Sequence, residues 1–104
     1  MTRFYFSEDA KRDLQEIRAY LNSIEPRPDK RTVQSLLKAF NTIADYPYFG
    51  APNSTLTRLL GTEVRSRLCN PYRIYYRLDR TAPEIFAILH TARDTQSIFT
   101  DRLQ

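Results

Sequence analysis

Cysteine, histidine, tryptophan and lysine are all scarce in this chain, and each scarcity removes a class of function. Cys69 is the one cysteine, so there is no internal disulfide and no cysteine-based metal cluster. With no base near it in sequence, Cys69 is not expected to act as a nucleophile. His90 is the one histidine, which excludes a multi-histidine metal site. No metal and no cofactor are therefore expected. No apolar run approaches ~20 residues, so no membrane span or membrane partner is expected. Residues 1–6 lack the apolar stretch and small-residue cleavage site of a secretory signal, and a cytoplasmic location is expected.

Lysine is replaced by arginine. Thirteen arginines stand against three lysines, with a net charge of +4 and a pI of about 9.5. The planar arginine fork binds phosphates and carboxylates bidentately. A charge of this modest size also suits a protein held by an acidic partner. At 104 residues, 41% hydrophobic and 27% charged, residues 1–104 read as one globular domain.

Residues 3–6 are a short aromatic strand, and Ser7 is an N-cap with Glu8 and Asp9 favouring the positive end of a helix. Ala10, Leu14, Ile17 and Leu21 form one apolar stripe. The segment Glu25, Pro26, Arg27, Pro28 breaks that helix, and Asp29 caps a second one that buries Val33, Leu36, Leu37, Phe40, Ile43 and Ala44. Residues 46–62, rich in proline, glycine and tyrosine, read as a long connection without strand. Tyr46, Tyr48 and Phe49 are expected to pack against the base of the helical hairpin. The apolar run at 85–89 reads as a strand buried on both faces. Residues 95–104 form a short helical tail carrying Ile98, Phe99 and Leu103. The expected fold is α+β, in the order β-α-α-β-β-β with that tail. A small sheet is backed by an antiparallel helical hairpin, and its other face is left partly open.

The strands at 63–69 and 72–79 carry the arginines. With a period of two, Arg73, Tyr75, Arg77 and Asp79 lie opposite Tyr72, Ile74, Tyr76 and Leu78, while Arg65 and Arg67 lie opposite Val64, Ser66 and Leu68. Paired through Asn70 and Pro71, the two strands are expected to bring Arg65, Arg67, Arg73, Arg77 and Tyr75 onto one open sheet face. The competing reading is that these arginines stay solvated or pair with Glu63 and Asp79.

The order of several motifs resembles the toxins of the RelE/ParE superfamily of type II toxin–antitoxin modules. They are Phe6, Ser7, Ala10, Asp13, Leu14, Ile17 and Tyr20, then Pro47 and Gly50, then Val64 and Arg65. The run Tyr72, Arg73, Ile74, Tyr75, Tyr76, Arg77 follows, and Ile88, Leu89, His90, Thr91, Ala92, Arg93, Asp94 closes the series. That closing motif looks like the ParE branch, the plasmid-stabilisation proteins.

The resemblance implies a small cytoplasmic toxin in a hetero-oligomer with a cognate antitoxin whose C-terminal segment wraps around it. ParE-type toxins act on DNA gyrase, and RelE-type toxins cut mRNA on the ribosome. RelE-type cleavage uses sheet lysines and arginines and a tyrosine in the C-terminal segment. Arg73 and Arg93 match the arginines, whereas Phe99 stands where the tyrosine is expected and residues 63–69 hold no lysine. The leading expectation is thus a toxin that binds gyrase rather than an enzyme. On this reading Arg65, Arg67, Arg73, Tyr75, Arg77 and Arg93 contact the target, and the tail modulates access. The antitoxin is expected to meet Leu14, Ile17, Leu21 and Phe40. If the chain is instead a ribonuclease, Arg73, Arg93 and His90 carry the chemistry, although His90 reads first as a structural residue and Arg93 with Asp94 as a brace for the tail. A third reading is an inactivated toxin that keeps only its antitoxin-binding role.

Overall fold

The computed structural model describes residues 3–24 and 31–102. The expected helix break at 25–28, the Asp29 cap and Leu103 lie outside the described residues. The elements are β1 (Tyr5–Phe6), α1 (Glu8–Ile24), α2 (Arg31–Asp45), a 3-10 turn (Pro47–Phe49), β2 (Ala51–Pro52), α3 (Ser54–Leu60), β3 (Val64–Cys69), β4 (Tyr72–Arg77), β5 (Glu84–His90) and α4 (Thr95–Arg102). The α+β class and the order of the main elements agree with the sequence reading. The stretch 46–62 does not: it holds a short strand and a helix where a bare connection was expected.

The missed helix α3 is bounded by signals that composition hides. The Asn53 side chain accepts the Leu56 amide at 3.0 Å, and Gly61 closes the helix with φ 71°, its amide bonding the Thr57 carbonyl. Only glycine takes that left-handed conformation at little cost. Ser7 behaves as its sequence position suggests, its hydroxyl accepting the Ala10 amide at 3.1 Å.

The sheet runs β1-β5-β4-β3-β2, with β1 parallel to β5 and every other pair antiparallel. Two cores lie on its two faces. Under α1 and α2, Ala10, Ile17, Leu36, Phe40 and Ile43 pack on Ile74, Tyr76, Ile85 and Ile88. On the other face, Leu56 of α3 and Phe99 of α4 pack on Val64, Tyr75, Phe86, Ala87 and Leu89. That second face is covered, not open. Between Tyr75 and Tyr76 the β4–β5 register shifts, so that Phe86 and Ala87 both turn toward the α3/α4 side. A bulge of this kind gives one face an extra side chain.

β1 covers only the first two residues of β5. Beyond it, the buried Asp13 of α1 takes the role of the missing strand. Its carboxylate accepts the Ile88 amide at 2.9 Å and both terminal nitrogens of Arg102, at 2.5 and 2.9 Å. This single carboxylate joins α1, β5 and α4. The hydrogen bond to Asp13 holds the Arg102 guanidinium above its ordinary pKa against the opposing effect of burial.

At the opposite end of the sheet, Gly50 lies under the Tyr76 hydroxyl and beside the Ser66 carbonyl. The requirement is for space, because its φ of −67° suits any residue. Gly50→Ala should cost about 2 kcal/mol, since the Ser66 backbone cannot swing aside; urea denaturation against wild type reads this directly. Arg102→Ala strands a buried carboxylate and should cost about 3 kcal/mol. It should also speed amide exchange across 95–102 relative to the rest of the chain. The exposed Lys11→Ala control, which breaks only the Glu8 pair, should change stability by less than about 0.5 kcal/mol.

Burial raises the pKa of Tyr72, Tyr75 and Tyr76 above the ordinary value of 10.0. The folded chain then holds these protons more tightly than the unfolded chain does. Stability should be intact below pH ~10 and fall as pH rises through the folded values. Phenolate absorbance and circular dichroism followed together test this. Reversible ionisation of all seven tyrosines without loss of fold contradicts it.

Candidate functional site

The arginines do not share one face. The connection at Asn70 and Pro71 pairs Cys69 with Tyr72, so every odd residue of β3 faces an even residue of β4. Arg65 lies opposite Tyr76 and Arg67 opposite Ile74, on the α1/α2 side. Arg73 lies opposite Leu68, Tyr75 opposite Ser66 and Arg77 opposite Val64, on the α3/α4 side. The expectation of a common face is corrected by loop length alone: a two-residue connection pairs positions of opposite parity.

On the α3/α4 side, Arg73 is half-buried and donates to the Ser66 hydroxyl at 3.0 Å. Tyr75, expected to contact the target, is only 7% exposed. Phe99 meets it edge to face at 4.9 Å, and Phe86 flanks both rings. Burial raises the Tyr75 pKa, offset in part by the Arg73 charge and a hydrogen bond with Thr95. Neutral at physiological pH and covered by Phe99, Tyr75 is a poor base. Beside it, a groove of about 610 Å³ runs between α3 and α4, with Leu56, Leu59, Tyr75 and Phe99 as its apolar lining and Asn53, Thr55, Thr95, Gln96 and Thr100 as its polar one. The sequence reading missed this groove together with α3. The pairing of an Asn53 cap with Gly61 around Leu56, Leu59 and Leu60 was the available signal.

Arg77 shares that face but is held by Glu84, whose carboxylate accepts its Nε at 2.5 Å, with Asp79 at 3.8 Å. Arg65 is held more fully. It donates to Glu63 at 2.5 Å and to the carbonyls of Tyr48 and Gly50 at 2.8 and 2.9 Å. Arg67 and Arg93 make no ion pair among the described residues. Arg93 is exposed and lines a smaller groove of about 310 Å³ with Asp13, Glu16, Tyr20, Tyr72, Ile88 and His90. His90 is exposed at the end of β5, edge-on to Tyr72 at 5.6 Å. Its Nδ1 accepts the Ala92 amide at 3.0 Å, which leaves Nε2 to carry the proton in the neutral ring. Asp94 caps α4 by accepting the Ser97 amide and hydroxyl at 3.3 and 3.0 Å, and these bonds lower its pKa.

Of the residues expected to meet an antitoxin, Phe40 is fully buried and Ile17 is 7% exposed, while Leu14 and Leu21 pack half-buried against the same core. The stripe chosen from periodicity is the stripe that faces the sheet, so Phe40 is closed to a partner in the folded chain and Ile17 shows only an edge, in the groove that Arg93 lines. The exposed apolar residues of these two helices are Tyr20, Ile24 and Leu37. Tyr46, Tyr48 and Phe49, expected to be packed, are exposed as well. Among the described residues, no cluster of three His, Cys, Asp or Glu side chains is placed to hold a metal ion, and no helix is long and apolar enough to cross a membrane.

No curated protein matches the chain. A family model described as the ParE toxin of the type II toxin–antitoxin system parDE matches residues 4–95. The match covers the whole sheet and the core under α1 and α2, and it reaches the first residue of α4, short of Phe99. The chain therefore belongs to the ParE toxin family of type II toxin–antitoxin systems.

Proposed function

We propose that this toxin acts by binding, with DNA gyrase as its target, and that its cognate antitoxin neutralises it. Family membership implies the antitoxin partner; gyrase is what the resemblance to ParE toxins implies, and the site supports binding over catalysis. The observation that carries the reading is the Phe99–Tyr75 contact. Metal-free RNA cleavage needs a group to take the 2′-hydroxyl proton, cations for the phosphate and a group to protonate the leaving oxygen. The α3/α4 face offers the Arg73 cation, but its three aromatic positions are two phenyl rings without an ionisable proton and a buried phenol with a raised pKa. Charge stabilisation remains and proton transfer does not.

Arg73 and Arg93 are the proposed target contacts, because neither is held in an ion pair among the described residues. Arg77 and Arg65 stabilise the sheet, and substituting them tests folding before it tests binding. The antitoxin is proposed to lie across α1 and α2, on the exposed Tyr20, Ile24 and Leu37. The rival reading, a ribosome-dependent mRNA endonuclease, is favoured by one observation. His90 stands exposed, its Nδ1 engaged by the Ala92 amide and its Nε2 free among the described residues, in the groove that Arg93 also lines.

Expression of the chain alone, with pulse labelling of new DNA and new protein, separates the two. DNA synthesis should collapse first while translation continues, and Arg73→Ala should reduce the effect at least tenfold without lowering thermal stability. Immediate arrest of translation that His90→Ala abolishes would establish the endonuclease instead. Soluble protein with no effect on either process leaves antitoxin binding alone.

A further inference from the structure

The turn that follows α2 is fixed far more firmly than a connection requires, and it turns its rings outward. Tyr46, Tyr48 and Phe49 are 57, 66 and 76% exposed. The Tyr46 and Phe49 rings lie 5.4 Å apart, and the Phe49 amide bonds the Tyr46 carbonyl at 3.1 Å. Two sheet side chains hold the backbone from below. The Tyr76 hydroxyl donates to the Pro47 carbonyl at 2.6 Å, and Arg65 donates to the carbonyls of Tyr48 and Gly50 at 2.8 and 2.9 Å. The Arg65 guanidinium also lies 5.5 Å from the centre of the Tyr48 ring. The backbone that carries these rings is held before any partner arrives, which lowers the entropic cost of using them.

Two positions along β3 from Arg65, on the same face, Arg67 has no ion pair among the described residues. Its charge reaches the Tyr76 hydroxyl that holds Pro47. A pre-ordered aromatic cluster next to a single unpaired guanidinium is the composition of a protein-binding hot spot. We infer that Tyr46, Tyr48 and Phe49 with Arg67 form a docking surface for an acidic segment of a protein partner, one that sets an apolar side chain on the rings and a carboxylate on Arg67.

Charge decides among the possible occupants. Two copies of this chain meeting through the patch would set Arg67 against Arg67. Among the described residues of this patch a nucleic acid would find Arg67 as the unpaired cation, because Arg65 and Arg3 are held by Glu63 and Asp45; affinity for a phosphate backbone grows with the number of cations it neutralises. A carboxylate-bearing peptide meets both constraints. The partner is the antitoxin, so this inference rests on the neutralisation reading above and extends the antitoxin's contacts from α1 and α2 to the far end of α2.

The test uses antitoxin purified from its complex with the wild-type chain, titrated against folded variants by calorimetry. Phe49→Ala should weaken binding at least ~30-fold, and Arg67→Glu at least ~10-fold with the largest loss at low salt. Both variants should melt like wild type, since neither side chain belongs to the buried cores. Phe49→Ala should inhibit growth as wild type does when expressed without antitoxin. Folded variants that bind antitoxin within ~3-fold of wild type overturn the inference. Retained binding with lost growth inhibition overturns it too, by assigning the patch to the target. If co-expression of the wild-type chain with its antitoxin yields no complex to purify, the neutralisation reading falls, and this surface with it.

Discussion

The two-residue connection between β3 and β4 decides what every other element can do. With Cys69 opposite Tyr72, the register assigns each side chain of the hairpin to one of two layers. A slip of one residue would exchange the layers completely. In the observed register Ile74 and Tyr76 complete the core under α1 and α2, while Val64 and Tyr75 complete the core under α3 and α4. The functional consequence is a division of the arginines. Arg65 and Arg67 fall at the end of α2, and Arg73 and Arg77 fall beneath the C-terminal helix.

The second constraint is the edge of β5. An apolar strand that outruns its neighbour exposes unpaired backbone groups, a template for unwanted pairing. Asp13 meets the Ile88 amide there, and Arg102 closes over the carboxylate from the other side of the sheet. Because Asp13 is buried, the arrangement contributes more to specificity than to stability: few other placements of α4 leave that carboxylate satisfied. α4 is a short helix with Phe99 as its one buried residue. The Asp13 clamp is therefore what keeps Phe99 seated on Tyr75.

Elements with their own periodic signal were legible in the sequence. The stripes of α1 and α2, the Ser7 cap and the doubly buried β5 follow from local chemistry. α3 was not legible by composition, because its seven residues lie among prolines and glycines that suggest a loop. The arginine face was misread although the information was present, since alternation gives the faces of each strand but loop length gives their relation. The bulge at Phe86 and the role of Asp13 depend on contacts distant in sequence, which no local pattern carries. Tyr46, Tyr48 and Phe49 are exposed because Tyr76 and Arg65 secure the backbone carbonyls of the turn, leaving the rings no part in holding it. Sequence proximity to a helix base cannot distinguish those two ways of fixing a turn.

The arginine excess takes on a different meaning in this fold. Arg3 is paired with Asp45, Arg12 with Asp9, Arg65 with Glu63, Arg77 with Glu84 and Arg102 with Asp13. Two of the arginines expected to form a binding surface, Arg65 and Arg77, instead fasten strand to turn and strand to strand through planar, multi-donor contacts that lysine could not reproduce. Of the arginines expected to meet a target, those in no ion pair among the described residues are divided between places: Arg73 on the α3/α4 side of the sheet, Arg93 beyond β5 and Arg67 on the α1/α2 side. A surface with separated single cations, each beside apolar or aromatic neighbours, matches protein partners better than a continuous phosphate backbone. Each of these pairs is neutral, so the net charge of +4 is carried by cations outside them, and the sites that do grip favour proteins.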